Sequence, residues 1–169
     1  MGYLGHIVGH GQLKIDPAKV EAIVNWPKPT SVTKVNSFLG AVQYWRRFIA
    51  NFSVIAAPLH TLTSVKQVFQ WGGRQQKSFE TLKEKIRTAP VLALLDLQYP
   101  FKIETDANVY AMGAILMQQK KPICYHSEKF SQAVINYPID DKELYALVQS
   151  VKNWKHYLIG KEITIHMDH

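Results

Sequence analysis

The sequence predicts an α/β (α+β) fold: a helical first part, then a small mixed sheet built from three antiparallel strands, a helix and a parallel strand. Three observations carry this. Apolar residues recur at helical spacing from Val20 to Ile86. Residues 101–130 alternate or cluster in three short runs with tight connections. A long helical pattern ending at Leu158 is followed by a last alternating run, Glu162 to Asp168.

The elements follow in order. Residues 3–15 set Gly5, Gly9 and Gly11 between short apolar stretches, which predicts two short strands around a glycine-containing turn. Asp16-Pro17 supplies an N-cap and a proline at the first helical position, and Trp26-Pro27-Lys28-Pro29 stops that helix. Ser31 to Asn51 holds a second helical pattern, with Val35, Phe38, Leu39, Val42 and Trp45 or Arg46 on one face. Ile55, Leu59 and Leu62 predict a short third helix broken by Pro58. A fourth is expected over Gln75–Thr88, striped by Phe79, Leu82 and Ile86 and ended by Ala89-Pro90. Strands are expected over Phe101–Asp106, Ala111–Gln118 and Pro122–Phe130, an antiparallel meander. Asp140-Asp141 is expected to cap a long helix with Leu144, Leu147, Val148, Val151, Trp154 and Leu158 as its stripe, closed by Gly160. The chain stops directly after the last strand, and a fragment is the expectation.

Composition narrows the function. The 169 residues are 47% hydrophobic with 19 aromatic side chains, enough for one or two small domains and unlike a disordered linker. The longest clean apolar run, Val91–Leu95, is far short of the roughly 20 residues of a spanning helix, so no membrane partner is expected. A single cysteine, Cys124, excludes an internal disulfide framework, and the first residues lack a secretory pattern. An intracellular location follows as the expectation, nucleus or cytoplasm left open. Twenty Lys/Arg against 13 Asp/Glu give a net charge of +7, which favours a polyanionic partner.

The carboxylates carry the chemical argument. In the strand starting at Phe101, Phe101, Ile103 and Thr105 share one face, and Lys102, Glu104 and Asp106 the other. In the last strand Thr164, His166 and Asp168 oppose Ile163, Ile165 and Met167. If these strands are parallel neighbours, Asp106 and Asp168 come to one sheet edge, within reach of Glu143 near the start of the covering helix. Three converging carboxylates offer oxygen ligands suited to Mg²⁺ or Mn²⁺ and to phosphoryl chemistry. The same residue types also serve plain structural ends: acids complement a helix N-terminus, and aspartates close strands. The seven histidines show no paired metal-binding spacing, and only His166 shares the Asp168 parity.

Motifs then add a resemblance. Tyr3-Leu-Gly-His-Ile, Asp16-Pro17-Ala18-Lys19, Trp26-Pro27-x-Pro29, Ser37-Phe-Leu-Gly40 and Tyr44-Trp-Arg-Arg-Phe-Ile49 run through the first part. Asn51-Phe-Ser53, Phe69-x-Trp71 and Ala89-Pro-Val-Leu92 continue them. Thr105-Asp106-Ala107, Gly113-Ala-Ile-Leu-x-Gln118, Lys142-Glu143-Leu144, Trp154-x-His156-Tyr157-Leu158-x-Gly160 and Asp168-His169 complete the set. Together they resemble the reverse transcriptase of gypsy-type long-terminal-repeat retrotransposons, from the thumb into the ribonuclease H domain.

The resemblance implies a palm end and helical thumb over residues 1–65, a connecting helix and linker over 66–100, and a C-terminally truncated ribonuclease H-like domain over 101–169. It implies that Asp106, Glu143 and Asp168 are catalytic and metal-binding, holding Mg²⁺ or Mn²⁺ against the RNA strand of an RNA–DNA hybrid. It implies that Gln43, Arg46 and Arg47 face a duplex backbone; ordinary helix surface is the alternative for those three. The polymerase signature Tyr-x-Asp-Asp is absent, and the family's fourth carboxylate and loop histidine are expected beyond residue 169. Cleavage is therefore expected to be slow or absent. Two other readings stay open: a non-catalytic nucleic-acid-binding fragment, and a retrotransposon-derived module that binds a protein partner.

Overall fold

Local signals set the helical part. In the computed structural model, which describes residues 2–3 and 5–167, Asp16 accepts a bond from the Ala18 amide at 2.9 Å and Pro17 opens α1 (Pro17–Val24). Ser31 does the same for α2 (Val32–Gln43), taking the Lys34 amide at 3.3 Å. α2 buries Val35, Phe38, Leu39 and Val42, and Trp45 beyond its end is buried as well. The second pattern is not one helix to Asn51. α2 ends at Gln43, and a single 3-10 turn over Arg46–Phe48 follows.

Pro58 does not break the third helix. α3 runs without interruption over Phe52–Leu62 with Pro58 inside it. The proline removes one ladder donor, while burial of Phe52, Ala56, Leu59 and Leu62 along one face holds the helix together. α4 (Gly73–Arg87) presents Phe79, Leu82 and Ile86, the expected stripe, to the same core.

The two strands expected over residues 3–15 form around the glycine-containing turn, and a short strand precedes them: β1 (Gly2–Tyr3), β2 (His6–Gly9) and β3 (Gln12–Ile15). His10 and Gly11 both take positive φ, 51° and 71°, the turn that best matches strand twist in a two-residue hairpin. An unexpected β4 (Leu92–Ala93) pairs antiparallel with β3 and completes a sheet ordered β1-β2-β3-β4. Leu13, Ile15 and Leu92 join α1–α4 in one hydrophobic core.

A second core organises the rest. β5 (Phe101–Ala107), β6 (Ala111–Gln118) and β7 (Lys121–Lys129) form the antiparallel meander, followed by a short unexpected α5 (Gln132–Ile135). α6 (Ile139–Leu158) crosses to β8 (Ile163–Met167), which pairs parallel to β5, giving the order β7-β6-β5-β8. The parallel neighbours assumed in the carboxylate argument are thus observed. α6 starts at Pro138 as its N-cap, so Asp140 and Asp141 lie inside the first turn instead of capping it. Its buried face is the expected one only in part: Trp154 and Leu158 are buried and Leu147 and Val151 half-buried, but Lys142, Ala146 and Ser150 also face inward while Leu144 and Val148 are exposed. The small Ala146 and Ser150 let the helix lie close to the sheet, and the row at four-residue spacing fixes its rotation.

The two cores are clasped at β7. Ser127, 1% exposed, takes the Ser53 amide on its Oγ at 3.0 Å. Its carbonyl accepts the Ser53 hydroxyl at 2.8 Å and an Arg46 Nη2 at 2.7 Å.

Candidate nucleic-acid site on the outer face of β5

Alternation along β5 decides where its polar side chains go. Phe101 and Ile103 belong to the second core beneath α6. Glu104 and Asp106 take the opposite parity and line a cavity of about 300 Å³ on the other face of the sheet. Gly113, directly opposite Asp106 on β6, and His166, opposite Glu104 on β8, line it too. The second wall comes from the helical part: Ala50 and Asn51, with Tyr125 of β7 packed between the two cores. Glu104 is paired with Lys102 at 2.6 Å. Burial raises the Tyr125 phenol above its ordinary pKa, so it stays a neutral hydroxyl here.

The predicted acids stand as follows. Asp106 is exposed in this cavity. Glu143 is half-buried near the start of α6, and does not line the cavity. Asp168 lies outside the described residues. Among the described residues no group of three or more His, Cys, Asp or Glu is arranged to hold a metal ion. The donor chemistry, carboxylate oxygen throughout, suits a hard divalent cation, and the two described acids need Asp168 to make a set of three.

The predicted duplex-facing residues separate. Gln43 is exposed at the end of α2. Arg46 is spent on the clasp: besides the Ser127 carbonyl it donates to Ser53 Oγ at 3.3 Å and lies 5.4 Å from the Phe52 ring centre. Arg47 is half-buried beside a crevice that also holds His126, Asn153, His156 and Tyr157, and its buried Nε has no hydrogen-bond partner among the described residues.

Sequence reasoning missed Asn51 and the site role of Glu104. Asn51 sits in the left-handed region (φ 57°, ψ 30°) just before α3, yet its side chain makes no capping bond. Its Oδ1 instead stands 2.7 Å from where a Cβ on Gly113 would be. A glycine inside a strand is the available signal, since it marks close approach by another group.

Residues 71–165 match the RNase H-like domain found in reverse transcriptase. The chain belongs to that family. Over 168 residues it is 37% identical to the retrovirus-related Pol polyprotein from transposon 297 of Drosophila melanogaster, spanning 99% of this chain and 16% of that protein. It is 34% identical over 144 residues to the transposon Tf2-3 polyprotein of Schizosaccharomyces pombe, spanning 82% of this chain and 11% of that one. This RNase H-like chain therefore corresponds to a small part of its retrotransposon relatives' length. In fold it is similar to the foamy viral protease-reverse transcriptase in complex with double-stranded DNA (TM-score 0.90, 20% identity, 99% of this chain and 30% of that one). The same viral protein in complex with RNA/DNA hybrid gives a TM-score of 0.83 at 20% identity, covering 96% of this chain and 24% of that one. At that identity the likeness speaks for the fold alone.

Proposed function

We propose that this RNase H-like chain acts, as part of a retrotransposon reverse transcriptase polyprotein, on the RNA strand of RNA–DNA hybrids by metal-assisted phosphodiester hydrolysis. The observation that carries the reading is the parallel pairing of β5 with β8, with Thr105 opposite Met167; the residues that follow these two are Asp106 and Asp168. Asp106, Glu143 and Asp168 are the residues proposed to hold Mg²⁺ or Mn²⁺. Such an ion, when bound, supplies charge stabilisation to the phosphodiester under attack. Gln43 and Arg47 contact the duplex backbone, and Arg46 keeps the helical part seated on the sheet. In this reading residues 1–65 hold the duplex, 66–100 connect, and 101–169 carry the chemistry.

The test is cleavage of a labelled RNA–DNA hybrid with Mg²⁺ or Mn²⁺ by the chain and by Asp106→Asn. Slow cleavage is expected with three carboxylates, and none in the variant. Cleavage that persists in Asp106→Asn overturns the assignment. A folded chain that binds duplex in a salt-dependent way without cutting it is a nucleic-acid-binding module instead. A folded chain that binds no duplex points to a protein partner.

A further inference from the structure

The cavity over Asp106 is composite, and the part that completes it lies outside the region matched by the family. The match begins at residue 71, whereas Asn51 comes from the turn leading into α3. Three facts set Asn51 apart. It holds a left-handed backbone, which asparagine tolerates better than most side chains. It stands at a helix N-cap, where asparagine normally bonds the first turn, yet it makes no such bond. The first-turn amide of Ser53 is satisfied by Ser127 Oγ instead. The Asn51 carboxamide is thereby released from capping. Among the described residues no hydrogen bond holds it.

Gly113 decides where that carboxamide goes. A Cβ there would meet Asn51 Oδ1 at 2.7 Å and Asn51 Cγ at 3.9 Å, so only glycine leaves room for this approach. Gly113 is the β6 residue directly opposite Asp106. The amide is therefore laid beside the strand pair that carries the candidate catalytic acid, with its Oδ1 against β6.

The chemistry of the lining then selects the ligand. Among the described residues Asp106 gives the cavity an unpaired carboxylate, Glu104 one ion-paired with Lys102 at 2.6 Å, and Thr105, Tyr125 and His166 add further polar groups. A phosphate without a bound cation is repelled by the Asp106 carboxylate. A sugar hydroxyl suits the Asn51 carboxamide, since it can donate to Oδ1 and accept from Nδ2–H. We infer that Asn51 is a substrate-contacting residue of the Asp106 site, its otherwise unbonded carboxamide reading a ribose hydroxyl of the RNA strand. This rests on the reading that the site takes RNA. It adds that the helical part supplies a selectivity contact.

The experiment measures binding of a fluorescein-labelled RNA–DNA hybrid and of the all-DNA duplex of the same sequence, with Mg²⁺ present. All proteins carry Asp106→Asn so that the hybrid stays intact. Asn51→Gly removes the amide and suits the φ of 57°. It is expected to weaken hybrid binding about fivefold, the loss typical of one hydrogen bond, and DNA binding less than twofold. Gly113→Ala, which displaces the carboxamide, is expected to reproduce that loss and to add nothing in the Asn51→Gly background. Asn51→Asp keeps the shape and backbone preference but, in the Asp106→Asn background, puts a second carboxylate beside Glu104. It is expected to weaken hybrid binding further, and it serves if Asn51→Gly does not fold. Equal changes for hybrid and DNA, or none, overturn the proposal and leave Asn51 a packing residue. Cleavage of hybrid by the Asp106→Asn parent is a separate outcome: it sinks the assignment of the site while the comparison of the two duplexes still reads Asn51.

Discussion

Replacing Ser127 by alanine isolates the clasp between the two cores. Its Oγ is the acceptor for the Ser53 amide at 3.0 Å, and that amide is one of the first-turn donors of α3 that the helix itself leaves unpaired. Ser127 thus acts as an N-cap supplied from 74 residues away. A buried donor stripped of its partner costs about 1–3 kcal/mol, and loss of an N-cap costs about 1 kcal/mol. Both figures describe the same bond, so they are not added, and a loss of about 2 kcal/mol is expected. For a chain of this length each kcal/mol moves Tm by about 2–4 °C, so Ser127→Ala is expected to melt about 4–8 °C lower. Ser53→Ala removes the 2.8 Å bond to the Ser127 carbonyl and the longer bonds its hydroxyl accepts from Arg46 and Ser127 Oγ at 3.3 and 3.2 Å, but Arg46 still donates to that carbonyl at 2.7 Å and the Ser53 amide keeps its acceptor. Its cost is expected to be about half as large. Thermal unfolding followed by circular dichroism, with urea midpoints as a second reading, measures both. A Ser127→Ala shift under about 1 °C, or the reverse order of the two variants, refutes the reasoning.

Two other predictions concern titratable groups. His6 is stacked on Tyr44 and Phe48, with ring centroids at 5.3 and 5.6 Å, and its Nδ1 is buried without a hydrogen-bond partner among the described residues. Burial, and then the nearby Arg47 charge, lower its pKa from the ordinary 6.5, so protonation favours the unfolded chain. Its contribution is intact above pH 6.5 and lost as the pH falls below it; urea midpoints at pH 7.5 and 5.5 are expected to differ less in His6→Phe than in the parent. Cys124 is buried and its thiol is pushed up to about 11, chiefly by burial. Alkylation by iodoacetamide at pH 8 is expected to run at least about a hundredfold slower than for an exposed cysteine, and to recover that speed in denaturant. Rapid labelling of the folded protein contradicts this placement.

What the sequence disclosed was local. Asp16-Pro17 and the run Ala111–Gln118 each carry their signal within a few residues, and the structure realises both. The polar parity of Glu104 and Asp106 was legible for the same reason, because side-chain alternation belongs to the strand itself. Elements that exist through distant partners were not legible. β4 is two residues long and exists because β3 pairs with it from nearly eighty residues earlier. The inward face of the first half of α6 was misread because Leu144 and Val148 outrank Ala146 and Ser150 in hydrophobicity, whereas close approach to the sheet rewards small side chains. Asn51 escaped because its meeting with Gly113 is a product of how the helical part docks. Pro58 misled in the opposite direction, since tertiary packing carries α3 past a local breaker.

The cap donated by Ser127 also orders events in time. During synthesis α3 emerges well before β7, and closing a contact across 74 residues is slow beside the formation of a helical turn. Until β7 has joined its sheet, the first turn of α3 lacks its acceptor and frays. Protection of the Ser53 amide against hydrogen exchange therefore arrives late, as a clock for the moment at which the two halves of the molecule become one.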